Sequence, residues 1–420
     1  MNFKDLLHRY KEGIATEEEQ KFVEQELEKY ESIEAYFSEA LSDQFFKKDE
    51  SEEDYMANGD EMKSIQKVVK FRLAKVVFTS VLIVVMLYIG IFYGVSSIVD
   101  RMHYNPTAIT QPKEHEYQSS DFFYDMQAYI SLNMPGHSIH SFTFEEPKGF
   151  GAYEVSYSLK DLFTRNDQRY FVGLARGRFN YAMDGIFGRK NRFDIWKGFE
   201  KIQYDFPEDA SEDRTTLKDK EVQRKNEETL RYLNELNPLS YISMSIVFNE
   251  DLTMEEFYSM QGEYPTLDFK WVGVRTTEPG TQWNENQPMH LVGFNPNFND
   301  EASSNRRPDS EKYPLFNLMD IRDKRIDSEK DFAEAFGIHF RSRLAYLRSR
   351  QEFVELFDYN SYKIDFYDDA LEYIDKHGVE TYGVLVFGTA KEFLEHIDEI
   401  PYDTVYINKV LPTRPNIYYH

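Results

Sequence analysis

The sequence predicts an α+β protein in which a short helical hairpin and one transmembrane helix precede a large mixed domain. Three observations carry this. An uncharged apolar run interrupts an otherwise polar chain; the residues before it show helical apolar spacing; and beyond about residue 120 alternating strand patterns are interleaved with amphipathic helical ones.

The run is Val76 to Val99, with no charge, Pro, Asn or Gln. As a helix it extends about 36 Å, enough to cross the roughly 30 Å hydrocarbon core with modest tilt. It starts too far into the chain, and without a small-residue cleavage site after it, to be a secretory signal peptide, so it reads as an uncleaved signal anchor. A buried core helix seldom reaches this length without a polar residue. Lys63, Lys67, Lys70, Arg72 and Lys75 precede the span with no acid among residues 62–75, which predicts a cell-membrane, single-pass protein with a cytoplasmic N-terminus and an extracytoplasmic C-terminal domain. Gly90 and Gly94 form a Gly-x3-Gly pair on which a second helix could approach closely, leaving a homodimer open.

The expected organisation is a cytoplasmic helical segment at 1–45, an acidic linker and basic juxtamembrane stretch at 46–75, the span at 76–99, a stalk at 100–120, a first extracytoplasmic part at 121–236 and a C-terminal one at 237–420. Net charge is −25, which argues against a nucleic-acid partner. No cysteine is present, so disulfides, thiolate nucleophiles and cysteine-ligated zinc are excluded. The 34 Phe and 30 Tyr favour packed structure over a disordered tail.

In the N-terminal segment, Phe3, Leu6, Leu7 and Tyr10 make one apolar face of a short helix, with Gly13 placed as its C-cap. Thr16 and Glu19 form a capping box for a second helix, whose stripe includes Phe22, Val23, Leu27, Tyr30, Ile33 and Phe37 and continues to about residue 41. A pair this small has too little core to stand alone, and its acidic opposite face disfavours an anionic leaflet, so the stripe is expected to cover a protein partner. Its proposed contact residues are Phe3, Leu6, Leu7, Tyr10, Phe22, Val23, Leu27 and Tyr30.

The run YKEGIATEEEQKFVEQELEKYE, the basic stretch, the single span and MHYNP at 102–106 resemble the N-terminal region of the sigma-factor regulator family, membrane-bound anti-sigma factors of Gram-positive bacteria. DFFYDMQAYISLNMPGHSI at 121–139, FKWVGVRT at 269–276, HLVGFNPN at 290–297 and YGVLVFGTAKEFL at 382–394 resemble its juxtamembrane and C-terminal regions. The resemblance implies that the cytoplasmic helices clasp an extracytoplasmic-function sigma factor and that the outer domain senses envelope state or docks a membrane sensor or protease. Many anti-sigma domains carry a His-x3-Cys-x2-Cys zinc motif; this chain, without cysteine, would be of the zinc-free kind.

Beyond the stalk, 121–132 reads as a helix ended by Met134-Pro135-Gly136, 153–159 as a strand, 171–181 as a strand with room for a bulge at Gly173 or Gly177, 205–216 as an acidic loop and 217–236 as a helix. Strand, helix and strand then follow at 241–248, 253–260 and 269–276, and again at 382–387, 389–397 and 404–410, which raises an internal repeat. Two amphipathic helices, about 328–359 and 367–377, lie between.

No catalytic constellation, metal site or cofactor is expected. His137 and His140 alternate on a strand-like stretch and would face opposite ways, and Walker, zincin and nucleophile-elbow motifs are absent. Trp271 is expected in the core, whereas Trp283 lies in a turn-rich stretch suited to exposure. The function expected is a non-enzymatic membrane anti-sigma factor. Its rivals are an envelope enzyme or a structural protein for which the N-terminal segment is only a tether.

The absence of cysteine makes topology directly measurable. Lys113→Cys is expected to react with a membrane-impermeant maleimide on intact cells, and Ser51→Cys only after permeabilisation; the reverse pattern would overturn the orientation.

Overall fold

Residues 9–11, 15–16, 19–26, 29, 59–112, 119–180, 214–278, 291–300, 307–323, 328–357 and 362–415 are described by a computed structural model. Helix and strand are mixed, with two sheets and one long apolar helix, and the chain divides into two units, Met1–Val84 and Val85–His420.

In the first unit residues 19–26 are helical. The Thr16 hydroxyl accepts from the Glu19 backbone N–H at 3.4 Å while the Glu19 carboxylate accepts from the Thr16 N–H at 2.9 Å, so two orphan donors of the helix start are satisfied reciprocally. Arg9 pairs with Glu19 at 2.7 Å and the Tyr10 hydroxyl donates to Glu24 at 3.3 Å, tying the preceding turn to this helix.

The apolar helix comprises α1 (Gly59–Ile89), a π-helical turn (Gly90–Val95) and α2 (Ser96–Arg101). From Lys67 to Arg101 it is long and apolar enough to cross a membrane, and none of its most apolar window is buried in the protein, which distinguishes it from a core helix. The wide π turn falls where Gly90 and Gly94 relax the steric constraint on the backbone.

The second unit continues with α3 (Asp121–Asn133) and a four-stranded antiparallel meander, β1 (His137–Gly149), β2 (Ala152–Asp161), β3 (Asp167–Ala175) and β4 (Arg178–Asn180). The single strand expected over 171–181 is therefore two strands. Arg176 and Gly177, at φ +51° and +70°, make a two-residue turn between them, the backbone sign that matches the twist of a tight hairpin.

After α4 (Arg214–Glu235) come β5 (Tyr241–Thr253), α5 (Met254–Glu263), β6 (Asp268–Val274) and β7 (Gly293–Phe294). Then follow α6 (Glu329–Arg348), α7 (Gln351–Val354), α8 (Tyr362–His377), β8 (Glu380–Thr389), α9 (Ala390–His396) and β9 (Tyr402–Leu411). The second sheet is antiparallel in the order β7-β6-β8-β5-β9, so each strand-helix-strand unit opens to admit a strand of the other. α5 and α9 start alike. Thr253 and Thr389 each end a strand and close a capping box, with Glu256 and Glu392, so that strand passes into helix without a loop.

β8 and the first eight residues of β5, Tyr241 to Phe248, are almost continuously buried because both faces of this sheet are covered. Phe257, Phe336 and Phe393 belong to the large core that includes one face. On the other, Phe163 from the β2–β3 turn stacks on Tyr241 with centroids 5.1 Å apart and meets Phe387 edge-on. Trp271 is buried there, its indole N–H donating to the Ser131 carbonyl at 3.1 Å.

The helix expected over 328–359 breaks at Ser349 and Arg350, the latter leaving helical geometry at φ −111°, ψ 50°. The guanidinium explains the break. Arg350 meets Asp125 through two bonds, at 2.7 and 3.0 Å, and Asp121 at 3.1 Å, both carboxylates having no solvent exposure. The Tyr346 hydroxyl donates to Asp125 at 2.9 Å and the Tyr104 hydroxyl at 2.6 Å. Burial pushes the Asp125 carboxyl above its ordinary range, although Arg350 and both phenols oppose that shift. Burial likewise drives the Tyr104 phenol well up, so it remains a donor.

Removing a buried partner strands the charge it served. Arg350→Met is expected to cost about 3–5 kcal/mol at pH 7 by thermal or denaturant unfolding. Because loss of Arg350 removes a group that opposes the burial shift, the folded state holds a proton on Asp125 at pH values where the unfolded chain has released it, and the deficit should shrink as pH falls from 7 towards 4. A deficit that grows on acidification would contradict the assignment.

Candidate coupling site at the C-terminal end of the apolar helix

The last turn of the apolar helix is gripped by the tip of the β1–β2 hairpin. Ser96 and Asp100, four residues apart, share one helix face. The hairpin turn is Phe150-Gly151, with φ of +54° and +72°, and Gly149 before it is at +87°. This run of positive φ aims successive backbone N–H groups at the helix. The Phe150 N–H donates to the Ser96 hydroxyl at 2.8 Å and the Gly151 N–H to the Asp100 carboxylate at 2.7 Å.

Burial raises the Tyr153 phenol to about 12, and the Asp100 carboxylate, which accepts a hydrogen bond from it, adds to the effect. Asp100 thus holds the turn and the first residues of β2 together. The Phe150 ring meets Phe92 edge-to-face, with centroids 5.8 Å apart and planes at 83°.

The turn fits because its glycines leave room. A Cβ on Gly149 would lie 3.3 Å from the Ser96 hydroxyl and 3.5 Å from the Phe92 ring, and one on Gly151 3.4 Å from Val99. Phe150 is the exception, a bulky side chain held at positive φ, a conformation that costs on the order of 1–3 kcal/mol and persists only where the surroundings impose it. The neighbouring turn braces it, the Arg176 N–H donating to the Gly151 carbonyl at 2.7 Å.

The described part of the segment expected to be a stalk packs against the domain. Tyr104 is buried, its ring 5.6 Å from that of Phe353, with its hydroxyl on Asp125. Further on, Thr110 donates to Asp121 from its N–H at 2.9 Å and from its hydroxyl, and the Asp121 N–H returns a bond to the Ala108 carbonyl at 2.7 Å. The path from Phe92 to Asp121 is therefore fastened twice, by the hairpin and by the buried ion cluster.

The sequence-predicted contact residues are placed unevenly. Phe3, Leu6, Leu7, Leu27 and Tyr30 lie outside the described residues, as does Trp283. Val23 is fully buried and Tyr10 half-buried, while Phe22 is 48% exposed. Gly90 and Gly94 have open space where a Cβ would sit. The side chain of His140 is outside the described residues, and among those described no three His, Cys, Asp or Glu side chains gather to hold a metal ion. Sequence reading missed Ser96, Asp100 and Phe150. The Gly149-Phe150-Gly151 triplet between two strands could have signalled a tight hairpin, but nothing local identifies the helix it grips.

Residues 233–401 match the family model described as sigma factor regulator C-terminal. This stretch of the chain is similar to the C-terminal region of sigma factor regulators. The match begins at the end of α4 and reaches the residue before β9, taking in both Thr-capped helices, α5 and α9, and the Arg350 break. Comparison with curated proteins and with solved structures gives no match.

Asp100→Ala should leave the Gly151 N–H and the Tyr153 hydroxyl without their acceptor, a loss of about 1–3 kcal/mol. Amide hydrogen exchange at Gly151 is expected to accelerate at least tenfold while that of β5 and β8 stays unchanged; unaltered exchange at Gly151 would contradict the clamp.

Proposed function

We propose that this chain is a single-pass membrane anti-sigma factor. Its N-terminal helices, residues 3 to about 41, hold an extracytoplasmic-function sigma factor away from polymerase in the cytoplasm, and the mixed domain reads the state of the envelope outside. The observation that carries this reading is the sigma factor regulator match at 233–401 in a chain whose apolar helix is long enough to span a membrane. The family is regulatory rather than catalytic, which fits a binding role.

A signal must change the affinity of the inner helices for sigma, and a ligand does this only by binding two conformations unequally. The hairpin clamp is suited to be the coupling element. It joins the mixed domain to the helix through two backbone donors, the Tyr153 hydroxyl and one ring contact, few enough to exchange, and the π turn directly before it offers a second hydrogen-bond register. Release by proteolysis, by rearrangement of a dimer through Gly90 and Gly94, or through a second membrane protein would each act on this same segment.

The test is retention of sigma by the whole chain. In detergent, the full-length protein is expected to hold one extracytoplasmic-function sigma factor of its source organism and to block its transcription in vitro, and the chain lacking residues 1–45 to do neither. Failure of the full chain to hold any of them would overturn the proposal.

A further inference from the structure

A polar cavity of about 470 Å³ lies beside the last turn of the apolar helix, in the size range of small-molecule sites. Three kinds of group line it. Asp121 and Arg350 are already committed to the buried ion cluster, and Asp100 to the hairpin tip. Arg101, His103 and Glu352, by contrast, make no hydrogen bond or ion pair among the described residues.

The place and the charges together indicate an occupant. Val99 ends the apolar run, so in a membrane Arg101 and His103 sit at the level of the lipid headgroups, where cationic side chains meet phosphate. A purely anionic headgroup would confront Glu352, Asp100 and Asp121, which line the same cavity. A zwitterion avoids that conflict, with its phosphodiester on the Arg101 guanidinium and a ring N–H of His103, and its ammonium on the Glu352 carboxylate. A primary ammonium also offers three donors, which a quaternary one lacks.

We infer that this cavity is a binding site for a zwitterionic phospholipid headgroup of the ethanolamine type. The inference rests on the membrane-anchored reading but not on sigma binding. Such a lipid would sit against the α2 turn that carries Asp100, so membrane composition would bear on the hairpin clamp.

The experiment uses the full-length chain in detergent, titrated with short-chain phosphatidylethanolamine or phosphatidylglycerol and read by native mass spectrometry. Phosphatidylethanolamine should be retained at least tenfold more than phosphatidylglycerol, and Arg101→Gln/Glu352→Gln should abolish that preference with Tm held within a few degrees. Equal retention of the two lipids, or an unchanged preference in the folded double variant, would overturn the assignment. O-phosphoethanolamine added alone at the same concentration should be retained at least tenfold less than the lipid; equal or stronger retention would assign the cavity to a soluble ligand instead. Sigma retention measured on the same preparations separates failure of this site from failure of the anti-sigma reading.

Discussion

Asp125 is a carboxylate without solvent, and the way it is neutralised fixes how three distant stretches of the chain lie together. One guanidinium, Arg350, serves it and Asp121 at once, and two phenols complete its shell. Burying an ion costs several kcal/mol unless its partners are well placed, so the cluster tolerates little displacement of any member. Tyr104 thereby pins the segment leaving the apolar helix to α3, and Arg350 pins the break after α6 to the same point. The hairpin clamp depends on this anchorage, since Ser96 and Asp100 lie only a few residues before Tyr104.

The two fastenings differ in character. Around Asp125 one guanidinium and two phenols hydrogen-bond to carboxylates without solvent exposure, an arrangement suited to rigidity. At the hairpin tip the bonds are two backbone donors and the Tyr153 hydroxyl to side-chain oxygens, set over a Phe held at positive φ. The second is the easier to undo, and undoing it frees the helix end without dismantling the core. This ordering of strengths is what a transmitting joint needs: a firm base and a weaker contact at the moving part.

Much of the architecture was legible locally. The apolar run, the Thr capping boxes at 16, 253 and 389, and the strands around them are written in neighbouring residues, where periodicity and capping chemistry act. What escaped local reading is relational. Asp125 and Arg350 stand 225 positions apart, and the pull of that pair, which interrupts an otherwise regular amphipathic helix at Ser349, has no signature in the helix itself. The hairpin at 149–151 announces a turn but not its target, and the division of 171–181 into two strands follows from positive φ at Arg176, where a non-glycine residue gave no warning. Of the proposed sigma-contacting residues, the described ones include a buried Val23, a half-buried Tyr10 and an exposed Phe22.

The central claim is that the grip of the mixed domain on the apolar helix governs the hold of the N-terminal helices on sigma. The most direct measurement is the dissociation constant of the full-length chain for its sigma factor before and after the tip is freed by Ser96→Ala/Asp100→Ala, which leaves residues 1–45 untouched. A change of tenfold or more, about 1.4 kcal/mol of coupling, is the result this account predicts. An identical affinity in a folded double variant would contradict it.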